Sequence, residues 1–225
     1  MKFKTGKYLL FFCLVGLVWA GCKVNDDAPA VTTNSSISVM NLVANSSSIN
    51  YYDNGTRQNN YKLGYGLTSG YLTVISGDQT ASIKDTLYNT IYSAGLTLFK
   101  NTKYTLLVAG QSKQAVNGIL LTDTIAPVNG KAKARVVNAS GNAPAFDVYF
   151  NNVGVTNISY KGISKVALVD TGTVTLKIKQ AGTNSAIGSF AVKLSTSSVY
   201  TFYIYGLYNN TTGVYALSLG TIINN

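Results

Sequence analysis

The chain repeats itself. Ile37-Ser38-Val39-Met40-Asn41-Leu42-Val43-Ala44-Asn45 aligns with Ala134-Arg135-Val136-Val137-Asn138-Ala139-Ser140-Gly141-Asn142, 97 positions later. Ile49–Asn54 meets Phe146–Asn151 at the same offset. Lys103–Gly110 meets Val199–Gly206 at an offset of 96, and Thr124-Ile125 meets Thr221-Ile222 at 97. A self-match that holds at both ends of a unit marks a duplication. Each copy spans 89 residues, Ile37–Ile125 and Ala134–Ile222. Two copies are too few for a solenoid, so each must close a core of its own.

Both copies read as β. Thr173-Val174-Thr175-Leu176-Lys177-Ile178-Lys179 alternates polar and apolar, which puts Val174, Leu176 and Ile178 on one face. Ala186–Leu194 and Val199–Tyr205 continue the pattern across the polar turn Ser195–Ser198. Asn54-Gly55 and Asn151-Asn152 are hairpin signals, because these residues tolerate positive φ. No apolar period of 3.6 residues appears past the first 21 residues. Roughly seven short strands per copy predict two tandem antiparallel β-sandwich domains, Ig-like or transthyretin-like. The expected division is a signal peptide over 1–21, a tether over 22–35, domains over 36–126 and 132–225, and a linker over 127–131. A linker this short predicts domains held close.

Arg135-Val136-Val137-Asn138-Ala139-Ser140-Gly141-Asn142-Ala143-Pro144-Ala145-Phe146-Asp147-Val148-Tyr149 resembles the opening signature of the bacterial family catalogued as domain of unknown function 4397. Asp170-Thr171-Gly172 before a Thr/Val-rich strand is similar to that family's turn-glycine-strand unit. The first copy matches less well. It has Ser46-Ser47 in place of Ala-Pro and Asn50 in place of Asp147. The resemblance implies exported, often lipidated, tandem β-sandwich proteins, and it implies no activity.

The start of the chain supplies an address. Lys2, Lys4 and Lys7 precede an apolar run from Leu9 to Ala20. That run is shorter than the ~20 residues a membrane-spanning helix needs, and it fits a secretory signal. Val18-Trp19-Ala20-Gly21-Cys22 resembles a lipobox, although Trp19 stands where such motifs carry Leu. The expectation is cleavage before Cys22 and acylation of that residue with palmitate-type chains, two or three of which anchor firmly. Lys23, with Asp26 and Asp27, resembles the export signals that send Bacteroidota lipoproteins to the cell surface. The expected location is the outer membrane, on its exposed face.

Composition closes several routes to chemistry. The chain holds no His and no Glu, and its one Trp lies in the first 21 residues. Past residue 21 the only cysteine is Cys22, so no disulfide forms within that part of the chain. Ser/His/Asp and Cys/His catalysis are excluded. Asp53, Asp78, Asp85, Asp123, Asp147 and Asp170 show no spacing that pairs two for glycoside hydrolysis or builds a calcium loop. The expectation is a non-enzyme without cofactor or metal, in which Asp147 hydrogen-bonds backbone amides rather than reacting. The chain carries 18 Lys and Arg against 8 Asp, scattered without an aromatic-interleaved stripe, which excludes nucleic acid as partner.

Fifteen of the 16 Tyr lie past the first 21 residues. Two readings of them stay open: half-buried strand residues, or a surface platform for sugar rings or a partner protein. Asp85-Thr86-Leu87 and Asp123-Thr124-Ile125 resemble the Asp-Ser/Thr-aliphatic O-glycosylation motif of Bacteroidota, with Thr86 and Thr124 as acceptors. The functional expectation is an envelope lipoprotein that binds a glycan or protein. The alternative is a structural component of an outer-membrane assembly without a small ligand. The sequence does not set the oligomeric state.

Overall fold

The computed structural model describes residues 33–224, so Cys22, Lys23, Asp26 and Asp27 lie outside the described residues. Every regular element among those described is a strand. The first copy contributes β1 (Asn34–Val43), β2 (Asn50–Asp53), β3 (Thr56–Arg57), β4 (Thr68–Ile75), β5 (Gly77–Lys84), β6 (Thr90–Leu98), β7 (Lys103–Gly110) and β8 (Val116–Thr122). The second contributes β9 (Ala132–Asn138), β10 (Phe146–Phe150), β11 (Val153–Ile158), β12 (Ala167–Val169), β13 (Gly172–Gln180), β14 (Ala186–Leu194), β15 (Val199–Tyr205) and β16 (Ser218–Asn224). Each copy therefore has eight strands where roughly seven are expected. Strands as short as β3, with two residues, offer no alternation to read.

The two copies share one topology. In the first, β4-β1-β7-β8 forms one sheet and β3-β2-β5-β6 the other; β12-β9-β15-β16 and β11-β10-β13-β14 repeat the pattern. The all-β sandwich expectation holds, with one difference in pairing. β1 runs parallel to β7, and β9 parallel to β15, while the remaining ladders are antiparallel. Side-chain alternation is the same for both directions, so the sequence could not show it.

The repeat also shifts at its last strand. Thr105 lies opposite Leu121, and its counterpart Thr201 lies opposite Ile222, which puts the equivalent residues 101 apart. The match of Thr124-Ile125 with Thr221-Ile222 is therefore not a structural equivalence. The second copy has a longer β15–β16 loop, and the two-residue Thr-Ile match beyond it masks the insertion.

Three apolar clusters hold the molecule together. Ile37, Val39, Tyr51, Ile83, Leu98, Leu106 and Val108 fill the first sandwich. Val136, Phe146, Val148, Phe150, Leu176, Ile178 and Phe202 fill the second. A third joins them: Met40, Leu42, Leu107, Ala109, Ile119 and Leu121 pack against Val137, Ala139 and Tyr203. The sheets containing β1 and β9 thus lie back to back, with the other two sheets outside. The result is four layers in one compact unit. Strands of the middle layers are buried on both faces, which is why β7 is buried at every position after Lys103.

Candidate functional site

The interface between the copies takes up much of the tyrosine excess. Tyr65 of the first copy lies 4.9 Å, edge to face, from the ring of Tyr215 and 5.9 Å from that of Tyr205. Tyr203 and Tyr205 sit 5.4 Å apart. Tyr160 donates its hydroxyl to the carbonyl of Ala109 across the interface at 3.1 Å. For these rings the partner is the sister copy. Elsewhere the tyrosines divide: Tyr51 points into the core, Tyr52 and Tyr149 lie on the outer sheets under Lys84 and Lys179, and Tyr61 and Tyr88 are exposed outside the strands.

A buried ion pair crosses the same interface. Arg135 Nη2 reaches Asp123 Oδ1 at 3.1 Å. Asp123 Oδ2 also accepts the hydroxyls of Thr105 at 2.6 Å and Tyr71 at 2.9 Å. Arg135 Nε donates to Thr201 Oγ1 at 2.7 Å, and Thr201 in turn meets Asn224 Oδ1 at 2.9 Å. Arg135 is therefore no part of a basic surface. Its neighbour Lys133 donates to the carbonyl of Ala126, and Lys131 pairs with exposed Asp170.

Three further acids, Asp147, Asp85 and Asp78, serve local duties. Asp147 accepts the backbone amides of Asn157 at 2.8 Å and Gly182 at 3.0 Å. Asp85 accepts those of Leu87 and Asn89, both at 2.9 Å, within the β5–β6 turn. The Asn89 side-chain amide, also on Asp85, holds its carboxyl below the ordinary value. Asp78 accepts the Thr97 hydroxyl at 2.6 Å. Among the described residues no three His, Cys, Asp or Glu side chains gather into a metal-sized cluster. Thr86 is half-buried beside the turn that Asp85 closes, and Thr124 is exposed with its hydroxyl accepting the amide of Lys103 at 3.1 Å.

A cavity opens where the copies differ. In the first copy Tyr92 lies opposite Ile83 and folds over Gly118, where an added Cβ would stand 2.5 Å from the Tyr92 hydroxyl. In the second, the residue opposite Ile178 is Gly188, and Leu219 replaces Gly118. The plug is gone, and a cavity of about 180 Å³ remains, lined by Ile187, Phe190, Tyr208 and Leu217 with Asn210 and Thr211 exposed at its rim.

The longer β15–β16 loop forms one wall and is held in place. The amide of Tyr208 reaches Asn142 Oδ1 at 2.8 Å, and its hydroxyl donates to Gln180 Oε1 at 3.2 Å. Asn210 and Leu217 close the loop with a backbone bond of 3.1 Å. The cavity combines apolar walls, two aromatic rings and a few polar groups at the mouth, the usual make-up of a small-ligand site. A wider concavity of about 470 Å³ lies along β11, but it is lined without aromatic residues. The sequence reading missed the cavity because a glycine in a strand and a loop insertion become informative only once the copies are superposed by register.

No curated protein matches the chain. Among solved structures it is similar to the carbohydrate-binding module CBMbc (family CBM26) from Eubacterium rectale Amy13K, determined in complex with maltoheptaose. The identity is 12% and the TM-score 0.26, over 84% of this chain and 95% of that chain. The family model described as domain of unknown function (DUF4397) matches twice, over residues 35–149 and 132–218. The first match covers the first sandwich and runs on into β9 and β10, the second covers most of the second sandwich, and the chain belongs to the DUF4397 family, in tandem copies.

Proposed function

We propose that this protein is a non-enzymatic, lipid-anchored envelope protein that binds a neutral glycan in the cavity of its second copy. The observation that carries the reading is that the inserted loop brings Tyr208 to the same cavity as Phe190, with Asn210 and Thr211 at the mouth. Aromatic rings pack against the C–H faces of sugars, and amide and hydroxyl groups pair with their hydroxyls. The six residues named as its lining carry no charge, which selects a neutral ligand. A glycan array probed with the purified protein tests this. Retention of a neutral oligosaccharide is expected, weakened about tenfold by Asn210→Ala or Thr211→Ala, the loss of one or two net hydrogen bonds. No retention, or retention unaffected by either change, would overturn it.

The second reading, a component of an outer-membrane assembly, is favoured by Leu87 and Tyr88. They stand 75% and 71% exposed at the tip of the β5–β6 turn. Size-exclusion chromatography separates the readings: a stable oligomer supports assembly, a monomer retained by a glycan supports binding.

The anchor rests on the stretch Val18–Cys22 and on Cys22 being the sole cysteine past residue 21. Surface exposure rests on Lys23, Asp26 and Asp27. Palmitate labelling in cells is expected, with loss of label and membrane association in Cys22→Ser; a labelled Cys22→Ser protein sinks the anchor. The exposure of Thr124 supports O-glycosylation there more than at Thr86, and intact-mass measurement of each Thr→Ala variant decides both.

A further inference from the structure

A second niche lies in the first copy, at an end of its sandwich that the second copy fills with apolar side chains. By ladder register, Asp53 and Ala81 stand where the second copy has Phe150 and Leu176. Gln79, two residues before Ala81, replaces Val174 in the same way. All six positions are buried. Beside these positions a niche of about 300 Å³ opens to the surface, lined by Asp53, Thr56, Gln58, Thr73 and Gln79 among others.

Asp53 is 7% exposed, and its Oδ1 has no hydrogen-bond partner. A buried carboxylate oxygen left unpaired costs more than almost any other polar group. Native folds retain such an atom where something else completes it. The polar groups around it supply carboxylate, amide and hydroxyl oxygens but no imidazole or thiolate. Hard cations prefer that set. Gln79 Oε1 already accepts the amide of Asn54 and keeps a second lone pair. A neutral hydroxyl would pair Oδ1 yet leave the charge buried, whereas a cation answers both costs.

We propose that this niche binds a calcium-class divalent cation through the Asp53 carboxylate. With one carboxylate the affinity is weak, about 10⁻⁴–10⁻³ M, the range of extracellular calcium modules. The site is independent of the glycan cavity, which lies in the other copy, so either can fail alone.

The test is thermal melting of the full chain in chelator and then in calcium at about ten times that dissociation constant. The midpoint is expected to rise by roughly 2–5 °C. Asp53→Asn, which removes a buried charge and keeps the shape, should melt cooperatively and lose the rise. Asp170→Asn, at the surface, should keep it. Terbium offers a direct reading, since Tyr51 lies two residues from Asp53 on the same inward face and can sensitise its emission. That signal should be displaced by calcium and absent in Asp53→Asn. No rise with calcium, or an equal rise in Asp53→Asn, overturns the proposal.

Discussion

Asn41 and Asn138 show how the duplication survives at single side chains. Each is fully buried after an apolar run. Asn41 Nδ2 donates to the carbonyl of Leu63 at 2.9 Å while its Oδ1 accepts the amide of Val43. Asn138 Nδ2 reaches the carbonyl of Ile158 at 3.1 Å while its Oδ1 accepts the amide of Ser140. Tyr104 and Tyr200 repeat in the same way, each accepting a backbone amide, from Phe99 at 2.9 Å and Ser195 at 2.8 Å. The Val-Asn-Ala-Ser signature is therefore a clamp between a strand end and a neighbouring loop. Asn138→Ala strands buried backbone groups and should cost about 2–4 kcal/mol in denaturant unfolding, from two or more unmade hydrogen bonds. The identity of these residues was legible in the sequence. The carbonyls that the two asparagines hold, 22 and 20 positions away, were not.

Among the elements, differences between matching strands say more about function than similarities do. Tyr92 against Gly188, together with the inserted loop, accompanies the cavity in the second copy, and Asp53, Ala81 and Gln79 against Phe150, Leu176 and Val174 accompany the niche in the first. The loop after β15 depends on Gly206, at φ +93°, where an added Cβ would sit 2.3 Å from the carbonyl oxygen of Ala216. Gly206→Ala should displace that loop, destabilise the protein by about 1–3 kcal/mol and weaken glycan retention. Unfolding curves together with the array check both effects, and an unchanged protein would show that the loop does not depend on that geometry. The β14 and β15 strands were readable from alternation, as were their turns. The cavity between β14 and the β15–β16 loop was not, because it takes a missing side chain and a loop insertion together.

Across the whole molecule, the pairing of two middle sheets makes the copies one body. The Arg135–Asp123 pair sits inside it with almost no exposure. Removing one partner of such a pair leaves a buried charge and typically costs 3–5 kcal/mol. Asp123→Ala should fall by about that amount, with Asp123→Leu plus Arg135→Met recovering most of it, as read by chemical denaturation. Burial, and secondarily neighbouring Tyr205, pushes the Tyr203 hydroxyl up to about 12. Its folded value exceeds the unfolded one near 10, so the stability it protects is intact below pH 10 and is lost as pH rises toward 12. Tyrosinate absorbance should show this class ionising late and together with unfolding. Tyr203→Phe should lessen the loss.

The sequence alone determined that the chain is β throughout its described length, that it is doubled, and that its chemistry lacks His and Glu. Periodicity, turn residues and composition are local properties, and local properties can be read along a chain. The tertiary structure decided the parallel ladders, the four-layer stack, the sister copy as partner of many tyrosines, and the two openings left by unequal copies. Each depends on which surfaces meet across tens of residues, and alternation is blind to strand direction and to what lies opposite.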